Sequence, residues 1–339
     1  MADLSAQVEA FLRNALAAKK LEDRLVKQAL RDLRTTLVAV ERVVGSSGAL
    51  AVGPGRERII ARIVEAVGNS VSESFGAPQL AALQEALAPF VERQLDFARR
   101  MVTMAGGELS SEGAVQVTQA QVNRLVNDAV VGGKTLSTQL TATLPAAVAD
   151  RVERYIRLGL SDLGGEVFRT YEDAVVRVTE NNVEAVIRTA VTEVGSAAQQ
   201  AIYEFETDPD WLGPEGLVWT ALLDSRVCPI CVALDGKRFP PDYRKVSPHF
   251  QCRCSLIPWK WRNEDMIDPS GRKVTPKRLA EGDGGDTALN FKTAAKTWVK
   301  DNPQTAQDIF GKKLGQRLVN GEISFDKAVK QWSAPKKAT

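Results

Sequence analysis

All four cysteines and the single histidine of this chain fall in one segment, as Cys228, Cys231, His249, Cys252 and Cys254. Thiolate and imidazole are the ligands that zinc prefers, and a CxxC turn offers two sulfurs to one ion while nearby backbone amides stay free to donate to them. Cys228-Pro229-Ile230-Cys231 is such a turn, and His249-Phe250-Gln251-Cys252-Arg253-Cys254 supplies a second ligand group. Zinc takes four ligands and the segment offers five, so the expected set is Cys228, Cys231 and His249, with Cys254 placed ahead of Cys252. If the second group is extended, Cys252 and Cys254 share one face and Arg253 takes the other, so spacing does not separate them.

One structural Zn2+ per chain is the expectation. Two other readings stay open: reduced thiols filling a small core, or a disulfide formed after release from the cell. Redox chemistry is disfavoured, because a thioredoxin-like CxxC opens a helix in an α/β unit and no such pattern surrounds Cys228. So is a catalytic metal, because the plausible ligands are consumed and no second histidine exists to act as a base. Structural zinc sites bind with roughly 10–16 kcal/mol, comparable with the stability of a domain, so metal would decide whether this segment folds.

The elements that would position this cluster can be read from the rest of the chain. Its 339 residues, 44% hydrophobic and 25% charged, allow a sizeable core and two or three structural units. The net charge of +2 lies far from the basic excess of a dedicated nucleic-acid binder, so any DNA contact must be local. No apolar run reaches the roughly 20 residues of a membrane span. No secretory signal is read at Met1 to Arg13, so synthesis in a host cytoplasm is expected.

Val8, Phe11, Leu12 and Leu16, then Leu21, Leu25, Val26, Leu30, Leu33 and Leu37, recur at three- and four-residue steps and predict helix from Leu4 to Val44. Breaks at Gly45-Ser46-Ser47-Gly48 and Gly53-Pro54-Gly55 precede a second helix through Ile59, Ile63 and Val67, so the N-terminus reads as helical hairpins. Further helices are expected over Gln79 to Met104, Ser111 to Val131, Thr135 to Leu163 and Glu166 to Tyr203, with Pro89 and Pro145 at helix starts or kinks. Almost no strand alternation precedes residue 205. Short strands are expected around Leu217 to Leu223 and Ser255 to Trp261. A joint at Gly282 to Asp286 leads to a helix over Ala288 to Val299 and another opened by Pro303.

The predicted fold is therefore mainly α: a helical N-terminal half, a small α+β zinc-binding module, and a helical C-terminal tail. The units are placed at 1–110, 111–206, 207–270 and 271–339.

The cysteine segment also resembles the phage Mu F-like minor head proteins, or head morphogenesis proteins. That family runs from a tryptophan through an Asp-x-Arg-x-Cys-x-x-Cys core to a glycine, then to a histidine and a Cys-Arg-Cys ending. The matching residues are Trp219, Asp224, Arg226, Cys228, Cys231, Gly236, Pro248, His249, Cys252, Arg253 and Cys254. Phe250 departs from the pattern, standing where the family has proline. The helix with Arg188-Thr189-Ala190 and Glu193, ending near Tyr203, is similar to the helix that precedes the module in the family. The tail around Trp298 to Pro303 and Gly321 to Ser324 is similar to Mu-like members, so the resemblance spans about residues 150 to 330. It implies a virion component acting in head assembly, partnered by portal or major capsid protein.

Among the other motif residues, Trp219 reads as a core aromatic beside the metal site. Asp224 and Arg226 read as a pair orienting the ligand loop, against the alternative of an exposed ion pair. Lys237, Arg238, Arg253, Lys260 and Arg262, within a longer run that includes Lys245, form a candidate phosphate-binding face, against the alternative of a solvated surface. A zinc-stabilised DNA-binding or regulatory protein outside the virion is the rival function. An enzyme is not expected: residues 1–205 hold no histidine, cysteine or phosphate-cradling glycine motif, although paired carboxylates could act without such a signature.

Overall fold

The computed structural model describes residues 4–48, 55–110, 116–159, 175–208, 216–220, 234, 237–245, 247, 250, 252, 254–258, 303–324, 327–328 and 331. It is mainly helical. Helix α1 (Leu4–Gly48) is uninterrupted and runs through the Gly45-Ser46-Ser47-Gly48 sequence expected to end it. Leu21, Leu25, Ala29, Leu33, Leu37, Val40 and Val44 bury one stripe of it, as the periodicity requires.

Helix α2 (Arg56–Val71) passes through a π-helical turn, Ser72–Gly76, directly into α3 (Ala77–Met104). The expected separation between residues 67 and 79 is therefore a widened turn. Pro78 lacks an N–H, and the wider turn just before it carries the chain forward without one. Pro89 lies inside α3 on its exposed side, so the carbonyl it leaves without a helical donor faces water.

Helix α4 (Gln119–Asp128) starts later than the expected Ser111. Thr118 and Gln121 form a reciprocal capping box there, with 2.8 Å from the Thr118 amide to Gln121 Oε1. A two-stranded hairpin follows, β1 (Val130–Val131) with β2 (Lys134–Thr135), which helical periodicity did not reveal. Gly132 and Gly133 have φ of 58° and 79°, the left-handed pair that a tight hairpin turn needs.

Helix α5 (Leu136–Thr138) then passes through a second π turn, Gln139–Thr143, into α6 (Leu144–Gly159). The two π turns meet. Ser72 Oγ donates to the Thr141 carbonyl at 2.8 Å, and a Cβ on Gly76 would lie 2.4 Å from the Leu140 carbonyl oxygen.

Helix α7 (Arg177–Phe205) is the central element, packed on both α1 and α3 through Val183, Val186, Ile187, Ala190, Val191, Val194 and Ala198. Arg188, nearly buried, ties it to α1 through Glu22 at 3.2 Å and Asp23 at 2.8 Å, while pairing with Glu184 on its own helix. Arg99 of α3 holds the end of α7 with a two-pronged bond to buried Glu206, at 2.8 and 2.7 Å.

Three antiparallel strands complete the body in the order β4 (Arg238–Phe239), β3 (Leu217–Thr220), β5 (Ser255–Pro258). The register pairs Val218 with Ile257 and Trp219 with Leu256. Both faces are covered. Leu217, Trp219 and Leu256 join the main helical core, whereas Val218 and Ile257 pack with Phe11, Phe97 and Met101 of α1 and α3. Two short helices, α8 (Pro303–Phe310) and α9 (Lys312–Val319), follow, opened by Pro303 and separated at Gly311, whose φ is 86°. Among the described residues no helix is long and apolar enough to cross a membrane.

Candidate functional site

The cysteine-bearing strand is held against α7 by one stripe of that helix. Glu193, Ser196, Gln200 and Tyr203 recur at three- and four-residue steps, so they project from one side of α7. Each reaches the segment that runs from β4 to β5. Glu193 Oε1 accepts from the Ser247 amide at 2.8 Å and from the Ser247 hydroxyl. Lys245 Nζ lies 3.3 Å from Ser196 Oγ, and Gln200 donates to the Pro241 carbonyl. Buried Tyr203 donates its phenolic proton to the Leu256 carbonyl at 3.4 Å, and burial pushes that phenol above its ordinary range.

Two charges are buried in this seam. Lys245 Nζ stands 3.9 Å from Glu193 Oε1 and 5.5 Å from the Trp219 ring centroid, a cation over an aromatic face. Burial raises the Glu193 carboxyl above its ordinary value; the Lys245 charge and the Ser247 hydrogen bonds oppose the shift without cancelling it, and Cys252 adds to it. Lys245 therefore does not belong to a solvent-facing basic surface, because its position is spent on packing inside the module. Of the phosphate-face candidates, Lys237 is exposed and Arg238 half-buried in β4, while Arg253, Lys260 and Arg262 lie outside the described residues.

Cys252 and Cys254 are both buried, at 1% and 2% exposure, and both join the core cluster that contains Trp219 and Leu256. Alternation along the approach to β5 places them on the Trp219 side, as expected of an extended Cys-x-Cys. Their equal burial leaves the choice between them where the spacing left it. Cys228, Cys231 and His249 lie outside the described residues, as do Asp224, Arg226 and Gly236. Among the described residues no group of three or more metal-binding side chains converges.

Trp219 is a core aromatic, 1% exposed, with the Phe239 ring 5.9 Å away at a tilt of 49° and Tyr243 beyond it at 4.2 Å from Phe239. Its indole Nε1 is buried and has no hydrogen-bond partner among the described residues. A buried donor without an acceptor is costly, and thiolates of a metal site are acceptors of the required kind. Two buried sulfurs on one side of a strand, in the same core as Trp219, are soft donors of the kind that a thiolate-bound zinc takes.

Phe250, the departure from the family pattern, lies against the β1–β2 hairpin. A Cβ on Gly132 would come within 2.4 Å of the Phe250 ring. The hairpin and its contact were missed from the sequence, although Gly-Gly between short β-branched runs is a recognised hairpin signal.

A long helix that carries a cysteine-bearing, three-stranded module within a mainly helical body defines the structural class. Residues 120–257 match the family described as Phage Mu protein F like protein, from the first turn of α4 to within β5. That stretch is similar to the Mu F-like family and carries the likeness to phage head-related proteins. The match begins earlier than the expected residue 150 and stops before the tail around Trp298. No curated protein and no solved structure matches the chain.

Proposed function

We propose that this protein is a minor head protein of a tailed bacteriophage that acts in head morphogenesis. Its helical body docks on portal or major capsid protein inside the head, and its cysteine module serves as a rigid, non-catalytic docking unit. One structural zinc, held by Cys228, Cys231, His249 and one of Cys252 and Cys254, closes the module. The supporting observation is the family match over residues 120–257, which includes the entire stripe of α7 and the module it holds.

Zinc supplies a fixed tetrahedral closure when bound. The residues that prepare for it are those of this chain: Glu193 fixes the backbone at Ser247, next to the expected ligand segment, and Trp219 shares a core with Cys252 and Cys254. The rival, a zinc-stabilised regulator outside the virion, would prefer one DNA sequence over random DNA by several kcal/mol. A head protein binds DNA weakly and without selectivity through groups such as Lys237 and Arg238.

Purified heads probed for the chain, together with pull-down of portal and major capsid protein, test the reading. Presence in heads with capture of either partner supports it, and absence from heads with capture of neither overturns it.

A further inference from the structure

Helix α1 carries a row of cations on the side turned away from the core. Its buried positions, Leu25, Ala29, Leu33 and Val40 among them, define one face. At 100° per residue the opposite face is centred on Lys20, Arg24, Lys27 and Arg31, and all four are exposed. They follow each other at alternating steps of four and three residues, so they form a straight ladder about 16 Å long. Arg42 lies on the same line, beyond Val38, which is 46% exposed. None of these five side chains has an acidic partner among the described residues.

Three of the five acids of α1 are paired with other cations. Asp23 and Glu22 turn towards Arg188, and Glu9 is taken by Arg13 at 2.7 Å. Like charges at these spacings on a helix repel, and no acid within the ladder relieves them.

We propose that this ladder is a binding surface for the phosphate backbone of duplex DNA. Charge complementarity identifies the partner: DNA presents one negative charge per roughly 1.7 Å of its axis, and phosphate contacts need a row of accessible lysine and arginine without base-reading groups. A protein partner is disfavoured by what the ladder lacks. Stable protein interfaces are centred on aromatic and apolar anchors, and between Lys20 and Arg31 the outer face has none. The surface lies outside the matched residues 120–257 and is independent of zinc.

The test uses the full chain with a random-sequence DNA duplex, measured by fluorescence anisotropy across a salt series. Replacing Lys20, Arg24, Lys27 and Arg31 together by glutamine is expected to weaken binding at least tenfold at low salt and to reduce the slope of log K against log salt by about three to four. Replacing exposed Lys312 and Lys313 by glutamine serves as the comparison and should leave most of that slope in place. A charge-preserving version, with lysine and arginine exchanged at the same four positions, should bind like the parent.

On the unmodified protein, DNA should protect Lys20 and Lys27 from acylation while leaving exposed Lys312 and Lys313 reactive. Unchanged affinity and slope in the glutamine variant would overturn the proposal. So would protection of Lys20 and Lys27 by portal or capsid protein but not by DNA, which would assign the ladder to an acidic protein face.

Discussion

Glu193 on α7 accepts two hydrogen bonds from Ser247, one from its amide at 2.8 Å and one from its hydroxyl, and so fixes the chain just before the segment that carries Cys252 and Cys254. Lys245 lies buried beside the same carboxylate at 3.9 Å. Glu193→Ala should therefore cost about 3 kcal/mol, because it strands a buried cation and frees the Ser247 backbone. Glu193→Gln, which keeps an acceptor at the same place, should cost less. Denaturant unfolding of the two variants would show the difference.

Arg188 joins α7 to α1 through Glu22, which is only 4% exposed at its side chain. Arg188→Met leaves that carboxylate buried without its cation and should cost about 3 kcal/mol or more by thermal unfolding. The exposed pair between Arg154 and Asp150 has no such neighbour, and Arg154→Met should change stability by less than about 1 kcal/mol.

The same clamp sets a pH dependence. Burial alone would raise the Asp23 carboxyl, but hydrogen bonding and charge from Arg188 and Lys19 overcome it and hold the group below its ordinary 3.8. A depressed carboxyl contributes stability above its unfolded pKa and loses it as pH falls through the folded one. Stability at Asp23 should thus be retained at neutral pH and lost below about pH 4. Asp23→Asn should flatten this acid limb and leave the rest of the profile unchanged, as read by melting temperature against pH.

At the crossing of the two π turns, Gly76 meets backbone: a Cβ there would sit 2.4 Å from the Leu140 carbonyl oxygen. Gly76→Ala should destabilise by about 2 kcal/mol, since a carbonyl in a helix cannot swing aside. Gly132→Ala should cost about 1–2 kcal/mol for a different reason, its φ of 58°, because the half-exposed Phe250 ring can move away. Adding Phe250→Ala should recover only a minor part of that loss.

Native mass spectrometry of the reduced protein should find one zinc, lost in Cys228→Ser and in just one of Cys252→Ser and Cys254→Ser. Because Trp219, Cys252, Cys254 and Leu256 share a core with α1, α3 and α7, metal removal should lower a single melting transition rather than add a second.

The helices were legible because their signal is local: Leu21 to Val44 keep helical spacing whatever they pack against. The strands at Leu217–Thr220 and Ser255–Pro258 were legible from their apolar content, and the cysteine group from residue type and spacing. The sequence by itself thus determined a mainly helical chain with clustered cysteines and a resemblance to the family that residues 120–257 match. Only the tertiary structure decided that Lys245 is buried rather than part of a basic face, that the sheet is covered on both sides, and that Glu193 holds Ser247. Those facts depend on contacts between residues far apart along the chain, and neither spacing nor composition encodes which distant segment a helix face will meet. The cations of α1 illustrate the same limit: their types were visible in the sequence, but that Glu22 and Asp23 turn to Arg188 rather than to them followed from the packing of α7 on α1.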